Sequence, residues 1–175
     1  MTPQQLELLT LFVTERVRYL TIGGYAMRCH GFDRETFDLD LWVERSAQNA
    51  ARIERVIEQL APGHAPKGRT WCEVFQMKAC LVEYPSIGPE KEVDIFTGLG
   101  HTGLVGMDFN ECYARSIVSN VDGTSLRALS IHDLLTAKRS ALETGSNIPG
   151  RVRDKADLDL LRARLRVSSD TSSGQ

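Results

Sequence analysis

The stretch from Thr36 to Val43 constrains the fold of this chain more than any other part of the sequence. Its residues alternate between two sets, the apolar set Leu39, Leu41 and Val43 and the set Asp38, Asp40 and Trp42. Successive side chains of a β-strand point to opposite faces, so this alternation predicts a strand with one covered face and one half-covered face. Asp38 and Asp40 then point to the same side.

The segments around this strand predict an α+β fold. Capping residues and helical spacing indicate helices that start at Thr2, near Tyr25 and at Ser46, and two more over 130–142 and 153–166. β-forming composition predicts strands over 19–22, 71–84, 92–96, 116–121 and 124–128, the last two joined by a tight turn at Asp122-Gly123. In the first helix, the spacing predicts a buried face formed by Leu6, Leu9, Val13 and Val17. We expect a mixed sheet of four to six strands, flanked by helices packed on one side, with a small C-terminal helical part.

Charge is distributed unevenly along the chain. Residues 1–126 carry 12 basic and 17 acidic side chains, whereas residues 127–166 carry nine and five. We therefore expect an acidic core over 1–126 and a basic helical part of the same domain over 127–167. The small, polar end of the chain predicts a disordered tail over 168–175.

Composition excludes several classes of protein. The net charge of −2 argues against a protein that coats nucleic acid or membrane through bulk electrostatics. The chain has no apolar run near the roughly 20 residues of a membrane span, and its polar start lacks a secretion signal, so we expect a cytoplasmic location. Four separated cysteines without a C-x-x-C pair indicate neither a disulfide framework nor a zinc ribbon.

Three carboxylates are the candidate chemical groups. Asp38 and Asp40 are close enough on one strand face to share a small, hard cation such as Mg²⁺. Asp94 lies between Val93 and Ile95, which we expect to face the core, so it joins the same side if the two strands are adjacent. The alternative interpretations are that the pair forms the solvated face of an edge strand and that Asp94 caps a loop.

A glycine pair precedes these carboxylates. Gly23-Gly24 falls between a short strand and a short helix, where backbone N–H groups approach a phosphate without a Cβ in the way. Carboxylates that gather beside such a turn suit two magnesium ions and a nucleoside triphosphate. A hydroxyl would then attack the α-phosphate and release pyrophosphate, and Asp94 would accept the hydroxyl proton.

The order of these motifs resembles one known family. An apolar-Gly-Gly-x-Ala run ends at Ala26, an Arg-x-Thr-x-Asp-x-Asp run spans 34–40, and an isolated Val-Asp-Ile-Phe run spans 93–96. The run over 151–158 is similar to the Arg-Pro-Lys-Asp-x-x-Asp-Leu sequence that closes the family's pattern. These blocks, over about residues 18–165, resemble the nucleotidyltransferases of the DNA polymerase β superfamily, most closely the small bacterial AbiEii-like toxins of type IV toxin–antitoxin systems.

The resemblance implies a role for each matching residue. Gly23 and Gly24 would hold the triphosphate, and Asp38 and Asp40 would bind metal. Asp94 would complete the triad that binds metal and carries catalysis.

The resemblance also implies a cofactor and partners. The cofactor would be Mg²⁺, with two ions, and the substrate a nucleoside triphosphate. The acceptor would be RNA, particularly a tRNA end, ahead of a protein hydroxyl or a small antibiotic, and a toxin would have a cognate antitoxin. Lys138 would have a basic catalytic role. Two departures from the family's pattern are Gly23-Gly24 in place of Gly-Ser and Val152-Arg153 in place of Pro-Lys.

Several charged residues have both a functional and a structural interpretation. Arg34 and Arg28 lie near the proposed phosphate site, and either would neutralise the phosphates, or Arg34 would be a salt-bridge partner of the neighbouring aspartates. Lys138 would reach the nucleotide or the acceptor, or would be solvated. Asp154 and Asp157 lie one turn apart at a helix start, where negative charge opposes the macrodipole. A solvated face or an RNA-gripping surface is predicted for three arginines, Arg162, Arg164 and Arg166.

Two other functions remain open from the sequence. One is a catalytically inactive nucleotide-binding or interaction module, and Asp94 on the opposite face from Asp40 would favour it. The other is an antibiotic-modifying nucleotidyltransferase, which differs in the acceptor that receives the nucleotide.

Overall fold

A single mixed sheet runs through the computed structural model, which describes residues 1–64, 66–84, 93–98, 102–143 and 151–172. Its strands are β1 (Tyr19–Thr21), β2 (Leu39–Val43), β3 (Ala79–Tyr84), β4 (Val93–Gly98), β5 (Ile117–Val121) and β6 (Thr124–Ala128). Across the sheet their order is β3-β4-β2-β1-β6-β5. Strands β1 and β6 are parallel, as are β2 and β4, whereas the other neighbours are antiparallel.

Seven α-helices and one 3₁₀ turn (Thr102–Leu104) accompany the sheet in the described residues. The helices are α1 (Pro3–Thr14), α2 (Gly23–Cys29), α3 (Ala47–Leu60), α4 (Trp71–Gln76), α5 (Phe109–Arg115), α6 (Ile131–Glu143) and α7 (Arg151–Ser172). The predicted α+β class, a mixed sheet flanked by helices, is confirmed. Across the described part of the chain, no helix combines the length and the apolar character that a membrane span needs.

Both faces of the sheet carry helices. The ring of Trp42 packs against Phe109 of α5, with centroids 5.1 Å apart. Tyr19, the register partner of Val43, points to the opposite face and packs against Phe12 of α1 at 5.6 Å. The sequence predicted helices on one side of the sheet only, and this was wrong. Trp42 lies on the other face from the leucines of β2, and its large apolar ring must also be covered by a helix.

The hairpin between β5 and β6 confirms the turn predicted at Asp122-Gly123. Val121 pairs with Thr124, and both turn residues have positive φ, 53° for Asp122 and 81° for Gly123. Two left-handed residues in succession define a type I′ turn, which matches the twist of the flanking strands.

Helix α1 begins as predicted but buries a different face. Thr2 caps it in a capping box with Gln5, and Pro3 is the first helical residue. Of the predicted face, Leu9 is buried, as is Val17 just beyond the end of the helix, whereas Leu6 is 36% and Val13 66% exposed. Leu8 and Phe12 are buried in their place. Apolar residues lie on more than one side of this helix, so spacing alone does not determine which side packs. The face that carries Phe12 is the one that reaches Tyr19.

Helix α4 replaces the first part of a predicted strand. Its N-cap is Thr70, whose hydroxyl accepts from the Glu73 N–H while the Glu73 carboxylate accepts from the Thr70 N–H. Trp71 and Phe75 stack one turn apart on this helix, at 6.0 Å. The β-forming composition of 71–84 pointed to a strand, but a capping box fixes local geometry more strongly than composition. Strand β3 begins only at Ala79 and pairs with β4 as expected.

Helix α7 is longer than the sequence predicts. It buries Leu158 and Leu161, as expected, and leaves Leu165 half-buried. It continues to Ser172, five residues into the segment 168–175 for which we predicted disorder, and residues 173–175 lie outside the described part.

Candidate functional site

Asp40 and Asp94 lie side by side in the middle of the sheet. They are register partners on the parallel strands β2 and β4, which fixes them on the same face about 4.8 Å apart along the hydrogen-bonding direction. Their apolar neighbours Leu39, Leu41 and Ile95 are fully buried on the other face. The adjacency that the sequence required of these two carboxylates is therefore present.

A third carboxylate extends this row. Glu83 of β3 is the register partner of Asp94, so Glu83, Asp94 and Asp40 follow one another across three neighbouring strands. We call these residues the carboxylate row. The sequence did not single out Glu83, because nothing in it gives the register between β3 and β4.

Asp38 occupies a more open position than the row. It lies one residue before β2 and is exposed. Its charge still reaches Asp40, because it contributes to the raised pKa of that residue. Within the described residues, no three acidic, histidine or cysteine side chains form a cage for a metal ion. Mg²⁺ is typically held by one or two carboxylates together with substrate phosphates, so a pair of aspartates fits that ion without a cage.

Burial and repulsion act together on Asp40. Burial of the carboxyl, followed by the negative charge of Asp94, raises the pKa of Asp40 from its ordinary value to about 7. The positive charge of Lys138 opposes this rise. The ionised form of Asp40 is thus destabilised near neutral pH, and a cation beside Asp94 would stabilise it.

The glycine pair lies directly against these residues. A Cβ on Gly23, where φ is +62°, would stand 2.0 Å from the Asp40 Oδ2 atom. A Cβ on Gly24 would stand 2.6 Å from the Thr36 Cβ atom. Only glycine lets the backbone approach Asp40 and Thr36 this closely. The glycine turn, for which the sequence predicted phosphate binding, therefore lies next to the carboxylate row.

Arg34 and Lys138 meet at one buried aspartate. The Arg34 Nε atom donates to Asp157 Oδ1 at 2.8 Å, and the Lys138 Nζ atom lies 2.8 Å from Asp157 Oδ2. Lys138 also donates to Asp154 Oδ1 at 2.5 Å. We call Arg34, Lys138, Asp154 and Asp157 the charge network. It connects the loop before β2 with helices α6 and α7.

The charge network decides one interpretation from the sequence and adds to another. Lys138 is buried rather than solvated, and Asp157, near the start of α7 as predicted, is only 1% exposed and bound in ion pairs. Burial lowers the pKa of Lys138, but Asp154 and Asp157 outweigh it and the pKa is raised. A signal for Asp157 was available, because it lies four residues before Leu161 and so on the buried stripe of α7.

The remaining arginines lie elsewhere. Arg28 forms a bidentate ion pair with Asp122 in the β5–β6 turn, at 2.6 and 2.9 Å. Arg164 stacks over the Phe32 ring at 4.8 Å and Arg162 lies 3.8 Å from Asp159. In the described structure, Arg28 is thus engaged at the hairpin rather than at the glycine pair.

The contact between Gly24 and Thr36 predicts the sign of a stability change. Gly24→Ala improves helix propensity, which alone would stabilise α2 by up to about 1 kcal/mol. We expect a loss of about 1–2 kcal/mol instead, because the new Cβ overlaps Thr36. Urea unfolding measures the difference, and adding Thr36→Gly should recover most of it. A stabilised Gly24→Ala protein would contradict this packing.

The charge network predicts a large effect of Lys138. Lys138→Met leaves Asp157 buried with Arg34 as its remaining partner, and we expect the free energy of unfolding to fall by about 3 kcal/mol. The matched control is Arg139→Met on the same helix, whose exposed pair with Glu143 is worth less than about 1 kcal/mol. Equal losses in the two variants, measured by chemical denaturation, would show that the network does not hold α7.

The raised pKa of Asp40 predicts how stability depends on pH. Between pH 4 and about 7 the folded state holds the Asp40 proton more tightly than the unfolded state does. This group therefore makes stability fall as pH rises through that window, by up to about 1.4 kcal/mol per pH unit, and adds no further change above it. Asp40→Asn should lack this contribution, whereas Asp38→Asn should retain most of it, because burial and Asp94 raise the pKa of Asp40 more than Asp38 does. Identical pH profiles for wild type and Asp40→Asn would contradict the assignment.

Comparison with solved structures relates the fold to nucleotidyltransferases. The chain is similar to an antigenic nucleotidyltransferase-like protein from Paracoccidioides brasiliensis, with a TM-score of 0.56 and 15% identity over 90% of this chain and 74% of that one. It is also similar to ANT(2″)-Ia in complex with adenylyl-2″-tobramycin, with a TM-score of 0.52 and 13% identity over 95% of this chain and 97% of that one. A solution structure of the antibiotic-resistance factor ANT(2″)-Ia gives a TM-score of 0.51 and 12% identity over 99% of this chain and 97% of that one.

These likenesses concern the fold. No family model matches the chain, and no curated protein matches it. The identities of 12–15% support a nucleotidyltransferase-like fold and do not single out the AbiEii-like group that the sequence resembles. The chain therefore has the fold of nucleotidyltransferase-like proteins.

Proposed function

We propose that this protein is a Mg²⁺-dependent nucleotidyltransferase that transfers a nucleoside monophosphate from a nucleoside triphosphate to a hydroxyl group. The observation that supports it most is the register of Asp40 and Asp94, which places two carboxylates together beside Gly23. The two carboxylates repel each other there, and a bound cation would offset that repulsion. The likeness of the fold to nucleotidyltransferases supports the same conclusion.

The carboxylates are suited to hold the metal with the substrate. Asp40 and Asp94 would provide the shared oxygen ligands, and the exposed Asp38 would contribute once the triphosphate is bound. Bound Mg²⁺ would neutralise charge on the phosphates and on the oxygens that are exchanged. Such ions would also offset the repulsion from Asp94, which adds to the effect of burial in raising the pKa of Asp40.

The other residues would orient the reactants. The backbone of Gly23 and Gly24 would lie along the triphosphate, because no side chain separates it from Asp40. Asp94 would accept the proton of the acceptor hydroxyl while the hydroxyl oxygen forms a bond to the α-phosphorus. The bond from that phosphorus to the β-phosphate then breaks, and pyrophosphate leaves.

Lys138 and Arg34 have supporting roles in this proposal. Lys138 contributes positive charge near Asp40 while it is held by Asp154 and Asp157. Arg34 pairs with Asp157 and belongs to the segment that leads into Asp40. Both residues would thus position the carboxylates and α7 relative to each other, and Lys138 would offset negative charge during transfer.

We propose RNA, in particular a tRNA end, as the acceptor. The sequence resemblance supports this choice, and Arg162 and Arg166 lie exposed on α7, where they would contact a phosphate backbone. A role as the toxin of a toxin–antitoxin pair follows only from the same resemblance. An aminoglycoside hydroxyl is the second candidate, because one similar structure contains adenylyl-2″-tobramycin and this chain covers 97% of it.

Transfer of label tests the reaction and the acceptor together. The protein is incubated with each α-³²P-labelled triphosphate, Mg²⁺ and either total tRNA or tobramycin, and label on the acceptor is counted. We expect transfer that EDTA abolishes and that Asp40→Asn and Asp94→Asn each reduce by roughly a hundredfold or more. Glu7→Gln, which changes an exposed carboxylate on α1, should leave the rate unchanged.

The outcomes separate the candidate functions. Label on tRNA supports both the reaction and the proposed acceptor. Label on tobramycin supports the reaction, with an aminoglycoside as the acceptor instead of RNA. Triphosphate binding without transfer to either acceptor, or transfer that persists in both aspartate variants, would contradict it.

A further inference from the structure

A second charged site lies at the other end of the sheet. It is a depression of about 450 Å³ lined by four arginines, Arg16, Arg18, Arg52 and Arg127. Tyr19 also lines it and pairs with Val43, at the far end of β2 from Asp40. Val43 follows Asp40 by three residues, about 10 Å along β2, and its side chain and that of Tyr19 point to the opposite face of the sheet from Asp40.

Most of this positive charge has no carboxylate to neutralise it. Arg18 pairs with Glu44, but Arg52 donates to the Arg16 carbonyl at 3.0 Å and Arg127 donates to the Ser116 hydroxyl at 2.8 Å. Within the described residues, the Arg16 guanidinium has neither a hydrogen bond nor an ion pair, and no Asp or Glu lines the depression. Guanidinium groups that line one depression repel each other, and a bound anion removes that repulsion.

Apolar and aromatic side chains form most of the rest of the wall of the depression. Val13 and Val118 line it and are 66% and 58% exposed. The Tyr113 ring lies beneath the guanidinium groups of Arg18 and Arg127, at 4.5 and 4.7 Å from its centroid. A ligand with an anionic group and an apolar or ring portion would cover both kinds of surface.

We propose that the basic depression binds a phosphate ester of about nucleotide size. Its phosphate would lie against Arg16, Arg52 and Arg127, and its ring or apolar portion would cover Val13 and Val118. A compact ligand is favoured over a nucleic-acid strand, because a depression of about 450 Å³ is the size of a small-molecule site. The site does not depend on the function proposed for the carboxylate row.

Binding of 1-naphthyl phosphate, followed by its fluorescence in EDTA, tests this site. EDTA withholds the divalent ions through which a phosphate would bind Asp40 and Asp94. We expect saturable one-to-one binding that is stronger than that of 1-naphthol or inorganic phosphate. Arg16→Gln and Arg52→Gln should each weaken it about tenfold, the usual effect of removing one charged hydrogen bond to phosphate.

The control for these variants is Arg55→Gln. Arg55 follows Arg52 by three residues on α3 but pairs with Glu15, and it does not line the depression. It should leave binding unchanged, and unaltered thermal midpoints would show that all three variants fold. Equal binding by wild type, Arg16→Gln and Arg52→Gln would overturn the proposal. Equal affinity for 1-naphthol would also overturn it, as would stronger binding of a single-stranded RNA oligonucleotide that Arg16→Gln and Arg52→Gln weaken.

Discussion

The repulsion between Asp40 and Asp94 is the constraint on which the rest of this structure depends. Like charges directly opposite each other destabilise a sheet, so another force must hold them in register. Leu39, Leu41, Val93 and Ile95 supply it, because each is at most 1% exposed on the other face. A slip of one residue would turn these four side chains towards the carboxylates' side. The hydrophobic core therefore enforces the arrangement of charge that gives the site its chemistry.

The C-terminal helices balance that charge from a distance. Lys138 lowers the pKa of Asp40, against burial and Asp94, while its own charge is held by Asp154 and Asp157. Asp157 is buried and binds both Arg34 and Lys138. The charge network has two cations and two carboxylates, so removing any one of the four residues leaves it with an excess charge. The charge network thus couples the position of α7 to the loop that leads into β2. These ion pairs join Arg34, in the loop before β2, to helices α6 and α7.

The sequence predicted those features that short-range patterns determine. Alternation placed Asp40 on the face opposite the leucines, capping residues gave the starts of α1 and α3, and Asp122-Gly123 gave the hairpin. It did not give Glu83 as a neighbour of Asp94, because register is set by tertiary packing. Thr70 and Glu73 form the capping box of helix α4, but the strand-forming composition of residues 71–84 predicted a strand there instead.

Long-range placement explains the other differences. The buried charge of Asp157 depends on α6 and α7 meeting, and Arg16, Arg52 and Arg127 come together only after three distant segments fold. Charge counted along the chain could not reveal the basic depression, since its arginines lie mostly in the acidic part. The roles assigned to the candidate site residues stay predictions, namely those of Gly23, Gly24, Arg34, Asp38, Asp40, Asp94 and Lys138.

Binding of Mn²⁺ together with a non-hydrolysable triphosphate analogue tests the central claim most directly. Electron paramagnetic resonance counts the Mn²⁺ bound to the protein, with and without the analogue. The account predicts that the analogue promotes binding of Mn²⁺ to the wild type, and that Asp40→Asn or Asp94→Asn removes most of it while Glu7→Gln does not. Equal Mn²⁺ binding by the wild type and both aspartate variants would contradict the claim that these two carboxylates hold the metal.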